Sequence, residues 1–150
     1  MPRYILTIII FILALLSFFV NDEIQKSRVA KSLNNLDKLG KCITQYVKSE
    51  GRLPGATSTK QLKDCLYPKY ISDEKIFISP VSKRYYGFNR MACGLSSRQL
   101  LDKPDTVLLF DKITTYGHFN SRVLVLFVNG RKKVMRRRAW QILEAEIYKK

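Results

Sequence analysis

The feature that most constrains this chain is an apolar run that passes, without Gly or Pro, into a charged amphipathic stretch. Residues 4–20 read YILTIIIFILALLSFFV and include no charged side chain, and the amphipathic stretch follows at residues 21–50. Nothing between the two parts favours a break, so we predict one long helix. Its front half is suited to lipid, and its back half is suited to packing under a small basic domain.

The apolar run is predicted to be an uncleaved membrane anchor over residues 1–20. It lies at the short end of the range of about 17–25 residues that cross a bilayer. A signal peptide would have a shorter core, of about 7–15 residues, and a small-x-small cleavage site, which residues 17–21 do not offer. A buried core helix is the alternative, but a run that is apolar on all sides fits lipid better. The anchor residues are Tyr4, Ile8, Phe11, Leu15 and Phe18.

Residues 21–50 are predicted to form an amphipathic spine. Their apolar residues recur at three- and four-residue steps, which places them on one stripe of a helix. Gly51 can adopt the left-handed conformation that ends a helix, and Pro54 prevents the helix from resuming. A helix from Tyr4 to this end is about 70 Å long at 1.5 Å per residue. The packing residues are Ile24, Val29, Leu33, Leu36, Ile43, Tyr46 and Val47.

Residues 51–150 are predicted to form one small head. A capping-box pattern at Ser58 and Gln61 begins a helix over 59–66. Extended, β-branched segments predict strands at 85–88, 106–110 and 122–128.

The C-terminal part of the head is predicted to be a hairpin followed by a helix. Asn129-Gly130 is the dipeptide typical of a two-residue type I′ turn, with residues 132–136 returning as a strand. A last helix over 139–148 would pack on the sheet through Trp140, Ile142, Leu143 and Ile147. The fold class is therefore α+β, a long helix laid on a small antiparallel sheet.

The charge of the chain predicts a polyanionic partner. Lys and Arg number 27 against 12 Asp and Glu, a net charge of +15, which attracts nucleic acid, anionic lipid or acidic glycan. The densest basic block has two interpretations: a solvated hairpin edge, or a polyanion contact with Tyr116, Phe119 and Trp140 as stacking partners. The block consists of Arg131, Lys132, Lys133, Arg136, Arg137 and Arg138.

Little in the sequence favours catalysis. His118 is the only histidine, and no nucleophile elbow or pair of carboxylates accompanies it. The spacing of Cys42, Cys65 and Cys93 fits neither a zinc knuckle nor a redox motif. For Cys65 and Cys93 a small buried hydrophobe is the first interpretation, a structural disulfide the second and a reactive thiol a distant third, while the disulfide pairing among the three cysteines stays open. We predict no enzyme activity, no cofactor, no metal and no small-molecule substrate.

The order of these segments resembles type IV pilins and type II secretion pseudopilins. Residues 42–54, CITQYVKSEGRLP, are similar to the end of a pseudopilin spine, and residues 66–77, LYPKYISDEKIF, to bacterial pilin-like proteins with a C-terminal H-x9-D-G signature. Residues 86–89 and 106–111 resemble the same group. His118 with Asn129 and Gly130 is an altered version of the signature. The resemblance implies a non-catalytic, single-pass inner-membrane subunit that packs with other pilin-like subunits through its N-terminal helix.

The departures from that family bear on processing and polymerisation. Arg3 meets Tyr4 without the Gly of a prepilin processing site, and no carboxylate occurs within residues 4–20. The family's carboxylate is thought to pair with a neighbouring amino terminus in the membrane. The family's frequent Cys-Pro is Ser79-Pro80 here, which excludes a disulfide at that position. We therefore expect an unprocessed chain with a weakened capacity to polymerise.

Two indications of the orientation of the chain in the membrane disagree. The resemblance implies a head outside the cytoplasm, whereas the positive-inside rule favours a cytoplasmic head. That rule weakens before a long folded domain, and Asp22 and Glu23 lie nearest the membrane. Before the span only Arg3 and the amino terminus are basic; after it come Lys26, Arg28, Lys31, Lys38 and Lys41.

Overall fold

The computed structural model describes residues 2–113 and 122–148. Within these ranges the chain forms four helices and four strands, with two short 3₁₀ turns at Glu74–Phe77 and Arg90–Ala92. The α+β class is as predicted. In chain order the elements are α1 (Pro2–Glu50), α2 (Thr59–Leu66), β1 (Gly87–Phe88), α3 (Ser97–Asp102), β2 (Val107–Ile113), β3 (Arg122–Phe127), β4 (Lys132–Arg136) and α4 (Arg137–Ile147).

Helix α1 runs for 49 residues without a break. It ends where the sequence predicts, because Gly51 has φ +73° and its N–H donates to the Val47 carbonyl at 2.8 Å. A left-handed glycine in this position satisfies a carbonyl that the last turn leaves free. The apolar run and the spine are therefore one continuous rod.

The sheet is antiparallel with the order β1-β2-β3-β4. Strand β3 lies inside it, and Val123 to Phe127 are all buried. The side chains of β3 alternate between two hydrophobic clusters, one on each face of the sheet. Leu124 and Leu126 point toward α1, whereas Val123 and Val125 point toward α4.

The larger cluster joins α1, α2 and the inner face of the sheet, with Leu36, Leu39, Leu62 and Leu126 at 0% exposure. The smaller cluster lies under α4, where Trp140 packs against Phe110 and where Leu143 and Ile147 are half-buried. The predicted packing of Ile142 is wrong, since it is 69% exposed. Two residues beyond Trp140, it lies about 200° around the helix from the buried face.

The predicted type I′ turn is also wrong. The register pairs Leu126 with Lys132, and the Gly130 N–H donates to the Phe127 carbonyl at 2.9 Å. Gly130 has φ +81°, whereas Asn129 does not have a positive φ. This is a three-residue loop, a tight turn followed by a left-handed glycine.

The capping pattern at α2 is found in a modified form. The Ser58 hydroxyl accepts from the Gln61 N–H, but the Gln61 side chain accepts from Thr57 rather than from the cap residue. A complete capping box, Ser96 with Gln99, begins α3, a helix that was not predicted.

Candidate functional site

The apolar half of α1 has no packing partner within the described chain. Tyr4 is 75% exposed and Phe18 is 70% exposed, and Ile8, Phe11 and Leu15 are exposed as well. Over Tyr4–Glu50 the helix has a segment with a mean hydropathy of 2.5, none of it buried. By length and composition it can cross a membrane, as a signal sequence near an amino terminus also can. Because folded monomers seldom expose an apolar surface of this extent, it is compatible with a membrane anchor.

The head packs on α1 from about residue 29 onward. Ile24 is 41% exposed and lies outside this contact, Val29 and Leu33 are half-buried, and Leu36 and Ile43 are buried in the core. Tyr46 and Val47 pack at the distal end of the same cluster.

Two further residues of the spine that contact the head, Leu39 and Gly40, were not among the predicted packing residues. Leu39 is fully buried, and its three-residue spacing from Leu36 was the available signal. Gly40 faces Leu126, and a Cβ built there would lie 3.3 Å from Leu126 Cδ1. The absence of a side chain at Gly40 therefore lets the sheet approach the helix closely.

A buried polar cluster also joins α1 to the head. The Ser32 hydroxyl is 2.9 Å from the Tyr86 hydroxyl and donates to Asp111 Oδ2 at 3.3 Å. The Ser79 hydroxyl donates to the same carboxylate oxygen and accepts from the Val81 and Ser82 N–H groups. Burial, together with the charge of Asp111, raises the pKa of Tyr86 to about 12 despite the hydrogen bond with Ser32.

This cluster is suited to holding the fold together rather than to chemistry. Ser32 and Ser79 are 0% exposed, so a substrate cannot reach either hydroxyl. Each hydroxyl has a hydrogen-bond partner, as buried polar groups require. The sequence did not reveal the cluster, because its four members come from four separate segments.

The basic block does not form a single patch. At the hairpin end of β4, Arg131 pairs with Asp105 at 2.6 Å and stacks over Phe127, while Lys132 pairs with Asp37 at 2.5 Å. Hydrogen bonds from Lys132 and Lys41 hold the pKa of Asp37 at about 2.

The rest of the block lies further along β4 and at the start of α4. These side chains are exposed and make no ion pair or side-chain hydrogen bond with the described residues. They are Lys133, Arg136, Arg137 and Arg138. Charges that have a partner thus lie at the hairpin end of β4, and Arg136 to Arg138, which have none in the described part of the chain, lie at its other end, with Lys133 beside Lys132 as the exception.

The three thiols are unbonded. Cys42 and Cys93 are half-buried, whereas Cys65 is exposed and does not fit a small buried hydrophobe. Desolvation raises the pKa of Cys65, and the neighbouring charges of Asp64 and Cys93 raise it further. A raised pKa lowers the thiolate fraction and so the reactivity.

The altered family signature is only partly described. His118, Tyr116 and Phe119 lie outside the described residues, while Asn129 and Gly130 form the hairpin loop. Within residues 2–113 and 122–148, no three or more His, Cys, Asp or Glu side chains are grouped so as to hold a metal ion.

No family model, curated protein or solved structure matches this chain. The resemblance to pilin-like proteins is therefore carried by the sequence segments quoted above and by nothing else.

Proposed function

We propose that this chain is a membrane-anchored, pilin-like structural subunit of a type II secretion or type IV pilus-type assembly. It acts without catalysis, as a single-pass protein of a bacterial inner membrane with its head outside the cytoplasm. The observation that carries the proposal is the continuity of α1. Its first half is apolar and unburied, and its second half contributes side chains to the core of the head. A membrane that held the first half would therefore hold the head as well.

The contacts of the head support a structural role. Gly40 brings the sheet close to α1, and Ser32 connects α1 to Asp111 through a buried hydrogen bond. Buried polar connections of this type favour one packing arrangement over others. Partner subunits would then contact the exposed apolar half through helix–helix packing, without the carboxylate that the family uses for registration.

The test is to express the full chain in bacteria and to follow its mass and its location. We expect the chain in the membrane fraction, without cleavage between Arg3 and Tyr4, and resistant to carbonate extraction. A soluble form that lacks the apolar segment would contradict the anchor.

Orientation is tested with reporters fused after Lys150. A reporter that is active only outside the cytoplasm is expected. A fusion that is active only in the cytoplasm would contradict the pilin-like function but would not contradict the membrane anchor.

A second function is a membrane-tethered module that binds nucleic acid or an anionic envelope polymer. It is favoured by four exposed basic side chains that form no ion pair within residues 2–113 and 122–148: Lys133, Arg136, Arg137 and Arg138. If so, the affinity of the detergent-solubilised chain for a labelled DNA duplex should fall linearly with the logarithm of salt concentration. Failure to bind DNA at low ionic strength would remove nucleic acid as the partner.

A further inference from the structure

The register of the sheet places one end of it near the membrane end of α1. Near the hairpin, Leu126 lies against Gly40, and Lys132, its cross-strand partner, reaches Asp37. Two residues back along β3, Leu124 pairs with Asp111, which bonds to Ser32. The sheet therefore descends along α1 toward the apolar run as β3 is followed back to its first residue.

One further step in the same direction reaches the Arg122–Arg136 pair. Two strand residues span about 7 Å, which corresponds to four or five helix residues at 1.5 Å each. This pair is consequently level with about residue 28 of α1. We define the proximal arginine cluster as Arg28, Arg122, Arg136, Arg137 and Arg138.

Within the chain, the charges of this cluster are placed unfavourably. Arg122 and Arg136 are directly opposite each other on adjacent strands, where like charges destabilise a sheet. Arg137 and Arg138 occupy the first turn of α4, which has no acidic residue and no side-chain cap. Cations at that end of a helix oppose its dipole. An external anion would relieve both penalties.

Carboxylates near this end of α1 and of the sheet have other partners. Asp22 and Glu23 both contact Lys26, at 2.8 and 2.9 Å. Asp111 accepts from Ser32 and Ser79. None of the five arginine side chains forms an ion pair or hydrogen bond with the described residues. The cluster is therefore a cationic surface without an internal counterion in the described part of the chain.

We infer that the proximal arginine cluster binds the anionic headgroups of the membrane that holds α1. This rests on the proposed anchor. Residue 28 is about 12 Å beyond Val20 at 1.5 Å per residue, and the headgroup layer occupies about 5–7 Å of that distance. The gap that is left is shorter than the Debye length of about 8 Å. Lysines and arginines this close to an anionic surface are attracted to it.

Nucleic acid fits this position less well. A duplex would have to enter the gap of about 5–7 Å that is left between the headgroups and the cluster, which is narrower than the major groove alone, about 12 Å wide. The anchor, by contrast, keeps the lipid headgroups within reach of the cluster, so each arginine meets a high effective concentration of its ligand.

The test uses the full chain in nanodiscs that carry a dansyl headgroup lipid. Trp140 is the only tryptophan in the sequence and lies about one turn after Arg137, so energy transfer from it reports how close the head is to the headgroups. We expect greater transfer in discs of phosphatidylcholine mixed with phosphatidylglycerol than in phosphatidylcholine alone. Added salt should remove the difference.

Two triple variants separate position from net charge. Arg122→Gln with Arg136→Gln and Arg137→Gln should abolish the dependence on phosphatidylglycerol, lowering the ratio of docked to undocked heads by about fivefold per arginine and about a hundredfold in all. Lys48→Gln with Arg98→Gln and Lys103→Gln removes the same charge elsewhere on the exposed surface of the chain and should leave the dependence largely intact. Near-ultraviolet circular dichroism of Trp140 verifies that both variants are folded.

The outcomes distinguish this inference from the anchor itself. A chain that incorporates into neither type of disc contradicts the anchor. A chain that incorporates into both types but shows equal energy transfer in the two overturns only the headgroup contact. An equal loss of the phosphatidylglycerol dependence in the two triple variants also overturns only that contact. Binding of a DNA duplex that is lost in the first variant, with no effect of lipid composition, would assign the cluster to nucleic acid and overturn it too.

Discussion

Ser32 of α1 donates a hydrogen bond to Asp111 of β2 inside the core, 79 residues apart in the chain and 3.3 Å apart in the fold. The bond connects the helix to the sheet at a point where neither partner is exposed to water. Removing the Ser32 hydroxyl would leave the buried Asp111 carboxylate with Ser79 as its remaining side-chain donor and would remove a buried partner of the Tyr86 hydroxyl. Loss of a partner to a buried polar group costs more than the bond itself contributes.

Ser32→Ala is therefore expected to lower the free energy of unfolding by about 1–3 kcal/mol. The matched control is Ser49→Ala, also in α1, whose hydroxyl bonds to Tyr70 in an exposed position. Both changes replace Ser by Ala within α1, and the control should cost less than about 1 kcal/mol, since water replaces the lost partner. Urea unfolding of the head in detergent measures both, and equal losses would contradict a buried role for Ser32.

Gly87→Ala is expected to destabilise the head by about 1–3 kcal/mol through overpacking. A Cβ there would lie 2.3 Å from two atoms of the Phe110 ring, which in turn packs on Trp140. Gly55→Ala is the control, since its Cβ meets nothing within 4 Å. We expect Gly55→Ala to be neutral or slightly stabilising. Thermal unfolding followed by Trp140 fluorescence compares the two, and an unchanged melting temperature for Gly87→Ala would show that the ring is free to move.

Acid should weaken the connection between α1 and the hairpin through Asp37. Its pKa is lowered from 3.8 to about 2 by Lys132 and Lys41. A depressed pKa in the folded state adds stability that is complete above the unfolded value and is lost as the pH falls from about 4 to about 2. Because other carboxylates titrate in the same window, the measurement is the difference in urea midpoint between the wild type and Asp37→Asn, followed against pH. That difference should narrow as the pH falls, and a constant difference would contradict the ion pair.

Alkylation of Cys65 should be slow at neutral pH although the residue is exposed. Its pKa is raised above 9.0, mainly by desolvation, and only the thiolate reacts. In a Cys42→Ala, Cys93→Ala background, the rate with iodoacetamide should keep rising beyond pH 9. Glutathione in the same assay gives the rate profile of an unperturbed thiol. A Cys65 profile that levels off at or below that of glutathione would contradict the raised pKa.

The elements governed by local chemistry were predicted well from the sequence. Gly51 ends α1, and α2 covers the predicted residues 59–66. The capping box at Ser96 and Gln99 was an available signal for α3, although six residues are too few for a periodic pattern.

The features that depend on pairing between distant segments were not predicted. The hairpin loop was misjudged because its length follows from the register of β3 against β4, which the Asn129-Gly130 dipeptide alone does not determine. Ser32 and Asp111 were overlooked because polar residues among apolar ones indicate a surface until their partners are known. The division of the basic block into paired and unpaired charges was missed for the same reason, since the carboxylates that pair with Lys132 and Arg131 belong to Asp37 and Asp105, in other parts of the chain.

In the proposed anchored state, the unbroken course of α1 makes the protein a lever. Gly51 lies about 46 Å beyond Val20 along the helix axis, at 1.5 Å per residue. Helices in bilayers tilt by about 20° on average, and such a tilt carries the far end of the head sideways by roughly 16 Å. Because α1 is unbroken between its apolar half and the core, a small change in the tilt of the proposed anchor would produce a large displacement of Gly51.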